Sequence, residues 1–208
     1  MEMLLFFAYE VISSIIPLCA VIFVFSSVRR KKQIPITSRN LLALLIFSCY
    51  TIGIHYFTGA GTLYDGFLYQ LEFRKNQVNL IPFSKEIDII AYFLNIILFV
   101  PFGFLTPMIW KKRDHPIHVI GSSFLYSLLI EGSQLLNNRS TDIDDIIMNL
   151  IGAMVGFGIY RIWDKITTFR HLSDEDNLLE LPMCILVSFF GRFFLYNEMG
   201  LAKLLYCL

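Results

Sequence analysis

The chain has 208 residues, of which 56% are hydrophobic and only 16% charged, and its mean hydropathy is +0.62. A soluble domain carries about 25% charge, so the composition excludes an ordinary globular protein and predicts an all-α integral membrane bundle of five to six transmembrane helices, at about 20 residues per span. Seventeen basic and seventeen acidic residues cancel, which speaks against a nucleic-acid partner, because neutralising phosphates needs a concentrated positive surface.

The first apolar run covers about residues 3–28 and ends at "RRKK", residues 29–32. Its positive charge follows the apolar region, the reverse of a signal peptide, so an uncleaved anchor with its N-terminus outside is expected. Further runs cover about 41–60, 89–110, 117–136 and 145–163, and a last one starts near Leu181. Lys111, Lys112 and Arg113 follow the third run, and Arg161, Lys165 and Arg170 follow the fifth. Six alternating spans put both groups on the side of "RRKK", which the positive-inside rule assigns to the cytoplasm, leaving residues 61–88 and 137–144 outside.

"LSDEDNLLE", residues 172–180, reads as a solvated acidic linker, since charge runs stay in water. The run after it, "LPMCILVSFFGRFFLYNEMG", holds Arg192 in its middle and Glu198 near its end. It is read as a sixth span, with an interfacial helix as the alternative. The organisation is then two spans and an outer loop in residues 1–78, a core of three spans in 79–164, and a cytoplasmic linker with the sixth span in 165–208. Cys19, Cys49, Cys184 and Cys207 stand singly, which indicates neither a zinc site nor a disulfide framework. No cofactor and no metal is expected.

Inside this apolar frame, Glu131, Gln134, Asn138, Arg139, Asp142, Asp144, Asp145 and Asn149 crowd into one short stretch. Ionisable groups in lipid are costly and mark paired groups, pathways or sites. The fourth and fifth runs are antiparallel, so these residues should meet at the outer membrane interface. Glu131 and Gln134 share one helical face, and Asp145, Asn149, Gly152 and Gly156 share another. Gly152 and Gly156 also form the small-xxx-small pattern of close helix contacts, with the third run, carrying Asn95, Pro101 and Gly103, as the expected partner. Pro101 should kink that helix and open a cavity. Pro82 should hold Ile81 extended and let Asn79 reach back over the bundle mouth.

Plainer readings stand beside these. The glycines serve packing alone, Asn95 and Asn149 suit interhelical hydrogen bonds as well as a ligand, and one of Asp142, Asp144 and Asp145 caps the fifth span. Glu131 could pair with Arg139 eight residues on. His55 reads as a satisfied core or interface residue.

The stretches "VNLIPF" (78–83), "LNIILFVPFGFL" (94–105), "IEGSQ" (130–134) and "RSTDIDDIIMNLIGAMVG" (139–156) resemble, in this order and spacing, the VanZ-like family of bacterial membrane proteins. The resemblance covers roughly residues 79–160 and implies a multi-pass protein of the bacterial cell membrane, associated with lowered susceptibility to teicoplanin-type glycopeptide antibiotics. It says nothing of the first two spans or of the tail after Arg170.

Three functions follow for comparison. The preferred one is a binding protein whose outward-facing polar cleft, made of Asn79, Asn95, Glu131, Gln134, Arg139, Asp142, Asp145 and Asn149, takes a lipid-linked wall precursor or a lipoglycopeptide in contact with membrane lipid. Amides and carboxylates would meet sugar hydroxyls, Arg139 a phosphate or carboxylate, and Phe83, Phe99 and Phe102 an apolar tail. The alternative is a membrane-embedded hydrolase or transferase in which Glu131, Asp142 and Asp145 bind a divalent cation or act as acid and base on a phosphate or glycosyl bond. A transporter calls for an internal repeat and polar groups to the midplane, and the sequence displays neither. Gly103, Gly152 and Gly156 are assigned to helix packing. Glu10 and Arg192 lie at comparable depth and are expected to pair as a structural clamp, with Arg192 turning to Glu131 or to the interface as the rival.

Overall fold

Lipid offers backbone polar groups no partner, so long apolar segments satisfy them internally as helices. The computed structural model describes residues 2–69, 77–84, 88–167 and 178–195, with backbone alone for 2–14 and Leu68. The expected all-α bundle is what it contains. The helices are α1 (Glu2–Lys31), α2 (Ser38–Thr58), α3 (Leu63–Leu68), α4 (Ile89–Ile109), α5 (Pro116–Gln134), α6 (Ile143–Ile166) and α7 (Glu180–Leu195). Among the described residues, Ser38–Phe67, Ile89–Ile109, Pro116–Asn137 and Ile143–Ile166 are long and apolar enough to cross a membrane. α1 has 30 residues and α7 has 16.

Local sequence sets the helix ends. Thr37 and Asn40 form a reciprocal capping box that starts α2, which satisfies two otherwise orphaned donors. α2 stops at Gly59, whose φ of 62° is left-handed, a conformation glycine adopts without a Cβ penalty. The Asp88 side chain accepts from the amides of Ile90 and Ala91 at 3.0 Å and so begins α4. Pro101 and Pro107 both lie inside α4, which continues through them.

α4 and α6 pack backbone to backbone. A Cβ on Gly103 would stand 1.8 Å from the Ala153 carbonyl oxygen, one on Gly152 2.2 Å from that of Ile96, and one on Gly156 1.9 Å from that of Val100. Only residues without a side chain permit this approach. Beside it lies an aromatic core in which Phe99, Phe102 and Tyr126 are buried, with the Phe102 and Tyr126 rings 5.6 Å apart. Phe99 and Phe102 are therefore interior packing and not the surface for a tail that the sequence suggested. A groove of about 700 Å³ runs between α5 and α7 past Leu125, Leu129, Ile185 and Phe189. It takes no residue from α4, so it is not the cavity expected beside Pro101.

Where α1 and α4 end and α7 begins, Arg29 and Glu180 form a buried pair. Arg29 Nε donates to Glu180 Oε1 at 3.1 Å, and the Trp110 indole N–H donates to Glu180 Oε2 at 3.1 Å. This corrects the reading of "LSDEDNLLE" as wholly solvated, because Glu180, its last residue, is only 2% exposed. A guanidinium drawn into the bundle needs a countercharge, since an unpaired buried charge costs several kcal/mol. Nearby, Arg161 reaches Asp114 at 3.3 Å and Arg113 donates to the Leu178 carbonyl.

Candidate acidic site at the opposite end

The loop before α4 and the loop before α6 are joined by a two-residue parallel ladder. Here β1 (Val78–Asn79) lies beside β2 (Thr141–Asp142), with Val78 opposite Thr141 and Asn79 opposite Asp142. The ladder brings "NLIPF" against "STDIDD". Asp142 is the N-cap of α6 and accepts from the Asp144 amide at 3.2 Å. Its two oxygens also accept from Asn79 Nδ2 at 3.2 Å each, so one aspartate both starts a helix and anchors the loop. Asp144, 2% exposed, accepts from the Phe83 amide at 2.9 Å and from the Tyr92 hydroxyl at 2.5 Å.

Asp145, Glu131, Asn95 and Asn149 come from α6, α5 and α4 to one place. Asn95 Nδ2 donates to Asp145 Oδ1 at 2.5 Å. Glu131, 3% exposed, receives a single long contact of 3.4 Å from the Asp142 amide on its Oε2 and lies within electrostatic range of Asp145. One turn further into the bundle, Asn149 Nδ2 donates to Ser127 Oγ at 2.8 Å. The Asn149 carbonyl oxygen is buried without a hydrogen-bond partner among the described residues. Among the described residues no group of three His, Cys, Asp or Glu side chains is placed to hold a metal ion.

Gln134 and Arg139 point elsewhere. Gln134 Nε2 donates to the Thr58 carbonyl at 2.7 Å and Arg139 Nη1 to the same oxygen at 2.9 Å, while Asn137 Nδ2 donates to the Gly59 carbonyl at 2.8 Å. These side chains satisfy the carbonyls that the C-terminus of α2 leaves open. Arg139 is thus engaged with α2, and no ion pair joins it to Glu131 among the described residues. Asn138 supplies the left-handed turn between α5 and β2, with φ 60°, which asparagine tolerates better than most residues.

His55 is fully buried in the core, with its Nε2 3.0 Å from the Tyr126 hydroxyl, but its Nδ1 has no hydrogen-bond partner among the described residues, so it is only half satisfied. Arg192 Nη1 donates to the Ala60 carbonyl at 2.5 Å. Glu10, its expected partner, lies outside the residues whose side chains are described.

Two contributors were not anticipated from sequence, Tyr92 and Ser127. Both carry a readable signal: Tyr92 precedes Asn95 by three residues on α4, and Ser127 precedes Glu131 by four on α5, the spacings that share a helical face.

A model of the VanZ/LLP1 family matches residues 41–164, the stretch that contains all of α4 and α5 and most of α2 and α6. The chain is 27% identical over 131 residues to Protein VanZ of Enterococcus faecium, which covers 62% of this chain and 77% of that protein. No solved structure matches the chain significantly.

Proposed function

The chain belongs to the VanZ/LLP1 family of membrane proteins, and on that premise we propose that its acidic end binds the polar head of a cell-envelope molecule, a lipid-linked wall precursor or a lipoglycopeptide, and so lowers susceptibility to teicoplanin-type glycopeptides. One observation carries the reading. Glu131 and Asp145 converge with Asn95 and Asn149 from three helices, and among the described residues no ion pair joins either acid, Arg139 acting on both only at longer range. Acids left in this state inside a bundle cost stability and are retained where a function uses them.

In this reading the acidic end faces out of the cell. Arg29 to Lys31, Lys111 to Arg113 and Lys165 belong to the opposite end, and the positive-inside rule places such an end in the cytoplasm. Carboxylates and amides at the mouth suit sugar hydroxyls and amides. Phe83, 53% exposed and set edge-on to Tyr92, offers an aromatic surface to an apolar portion. Arg139 bonds the Thr58 carbonyl through its Nη1 alone, and since a guanidinium carries further N–H donors it stays a candidate for a phosphate.

The test is glycopeptide susceptibility of a sensitive host expressing the chain. Glu131→Ala and Asn149→Ala should each abolish protection while the protein stays in the membrane fraction, and full protection in both overturns the reading. In a background lacking the native cysteines, a cysteine at Asn138 should react with an impermeant reagent on whole cells and one at Lys112 should not. The reverse pattern would move the acidic end to the cytoplasm.

A further inference from the structure

The unused hydrogen-bonding capacity of the acidic end lies in acceptors. Asn79 Nδ2 serves both oxygens of Asp142, the Tyr92 hydroxyl serves Asp144, Asn95 Nδ2 serves Asp145, and Asn149 Nδ2 serves Ser127. Among the described residues the Glu131 carboxylate has only its 3.4 Å contact from the Asp142 amide, and Asp145 engages one oxygen with Asn95. Asn149, in a side chain 2% exposed, has a carbonyl oxygen with no partner among those residues.

These three acceptors are stacked. Ser127 is one turn before Glu131 on α5, and Asn149 is one turn after Asp145 on α6. The Ser127–Asn149 rung therefore lies about 6 Å deeper than the Glu131–Asp145 pair, at about 1.5 Å per residue. Asn149 thus lies one turn below the two carboxylates. A buried amide oxygen left open is costly, and one placed below two acids that no ion pair holds among the described residues is satisfied when a donor enters from above.

We infer that this site takes a protonated primary amine carried by the envelope ligand. An ammonium group brings three donors, no acceptor and one positive charge, which answers three acceptors on two acids and one amide. Between the two acids a phosphate or carboxylate would meet like charge, and a quaternary ammonium has no N–H to donate. The inference rests on the acidic end being a binding site, as proposed above, and names the group that it recognises.

Thermal unfolding of the full chain in detergent micelles, at constant ionic strength, tests it with methylammonium, tetramethylammonium and potassium chlorides. Methylammonium alone should raise the midpoint, and Glu131→Gln, which keeps the shape and removes the charge, should weaken its apparent affinity about tenfold, as loss of one charge-assisted hydrogen bond predicts. Asn149→Leu should weaken it as well. No response to methylammonium, an equal response to all three cations, or one that survives both substitutions overturns the inference.

Nanodiscs then separate the sources. A higher midpoint in phosphatidylethanolamine than in phosphatidylcholine assigns the amine to a lipid headgroup, and equal midpoints with a retained methylammonium response assign it to another envelope molecule. Loss of the amine response alongside intact dependence of protection on Glu131 defeats this inference alone. Protection that ignores Glu131 and Asn149 defeats the binding reading itself.

Discussion

At one end of the bundle Arg29 faces Glu180 at 3.1 Å and Arg161 faces Asp114 at 3.3 Å; at the other, Glu131, Asp144 and Asp145 are held by amides, a phenol and backbone N–H groups, with no ion pair among the described residues. Both ends bring acids into an apolar protein, and they manage the cost differently. Opposite charge compensates the buried acid at the basic end, which ties α1, α4 and α7 together. Hydrogen bonds, with Arg139 acting only at longer range, moderate the charge at the acidic end, where α4, α5 and α6 meet. Charge that no ion pair holds is poor structural glue.

The comparison breaks most visibly at the buried pair. Glu180→Ala leaves the Arg29 guanidinium without its partner and should cost about 3–5 kcal/mol, read as a large fall in thermal unfolding midpoint in detergent. A loss no greater than that of a surface pair would mean that this contact does not hold the basic end.

Next comes the contact that positions the acidic end. Gly156→Leu places a side chain where even a Cβ would be 1.9 Å from the Val100 carbonyl oxygen, and the overpacking should cost about 1–3 kcal/mol or more, visible in the same melt and as separation of α4 from α6 by crosslinking. Asp144→Ala removes the acceptor of Phe83 N–H and of the Tyr92 hydroxyl, at about 1–3 kcal/mol for the groups left unsatisfied. Its signature is local: faster amide exchange around Phe83, with the basic end unaffected. Smallest is Arg161→Ala. That pair is half exposed on the arginine side and should be worth about 0–1 kcal/mol, within the scatter of replicate melts.

Sequence carried the helices and the meeting of the polar residues further than it carried their individual partners. Runs of apolar residues marked α2, α4, α5 and α6 to within a few residues, because in lipid a span is a matter of length and hydropathy. The i, i+4 spacing of Gly152 and Gly156 pointed to close helix contact for the same reason that it occurs, the need to remove side chains between two backbones. Partners across the fold were less legible. Nothing local tells that Gln134 and Arg139 turn to the last carbonyl of α2, since that depends on how α2 and α5 end side by side. Nor does a charge run announce that its last member, Glu180, is the one drawn inside by Arg29. Tyr92 and Ser127 were readable by helical spacing alone, but a single hydroxyl on an apolar helix has many ordinary roles and gains meaning only beside Asp144 and Asn149.

The most direct measurement is the thermal unfolding midpoint of Glu131→Gln beside that of the unmodified chain in the same detergent, free of added amines. An acid kept for a ligand predicts a midpoint equal to or above that of the parent, because glutamine fills the same volume and removes the repulsion between Glu131 and Asp145. A fall approaching that of Glu180→Ala would contradict it, and would make Glu131 one more structural charge like those at the basic end.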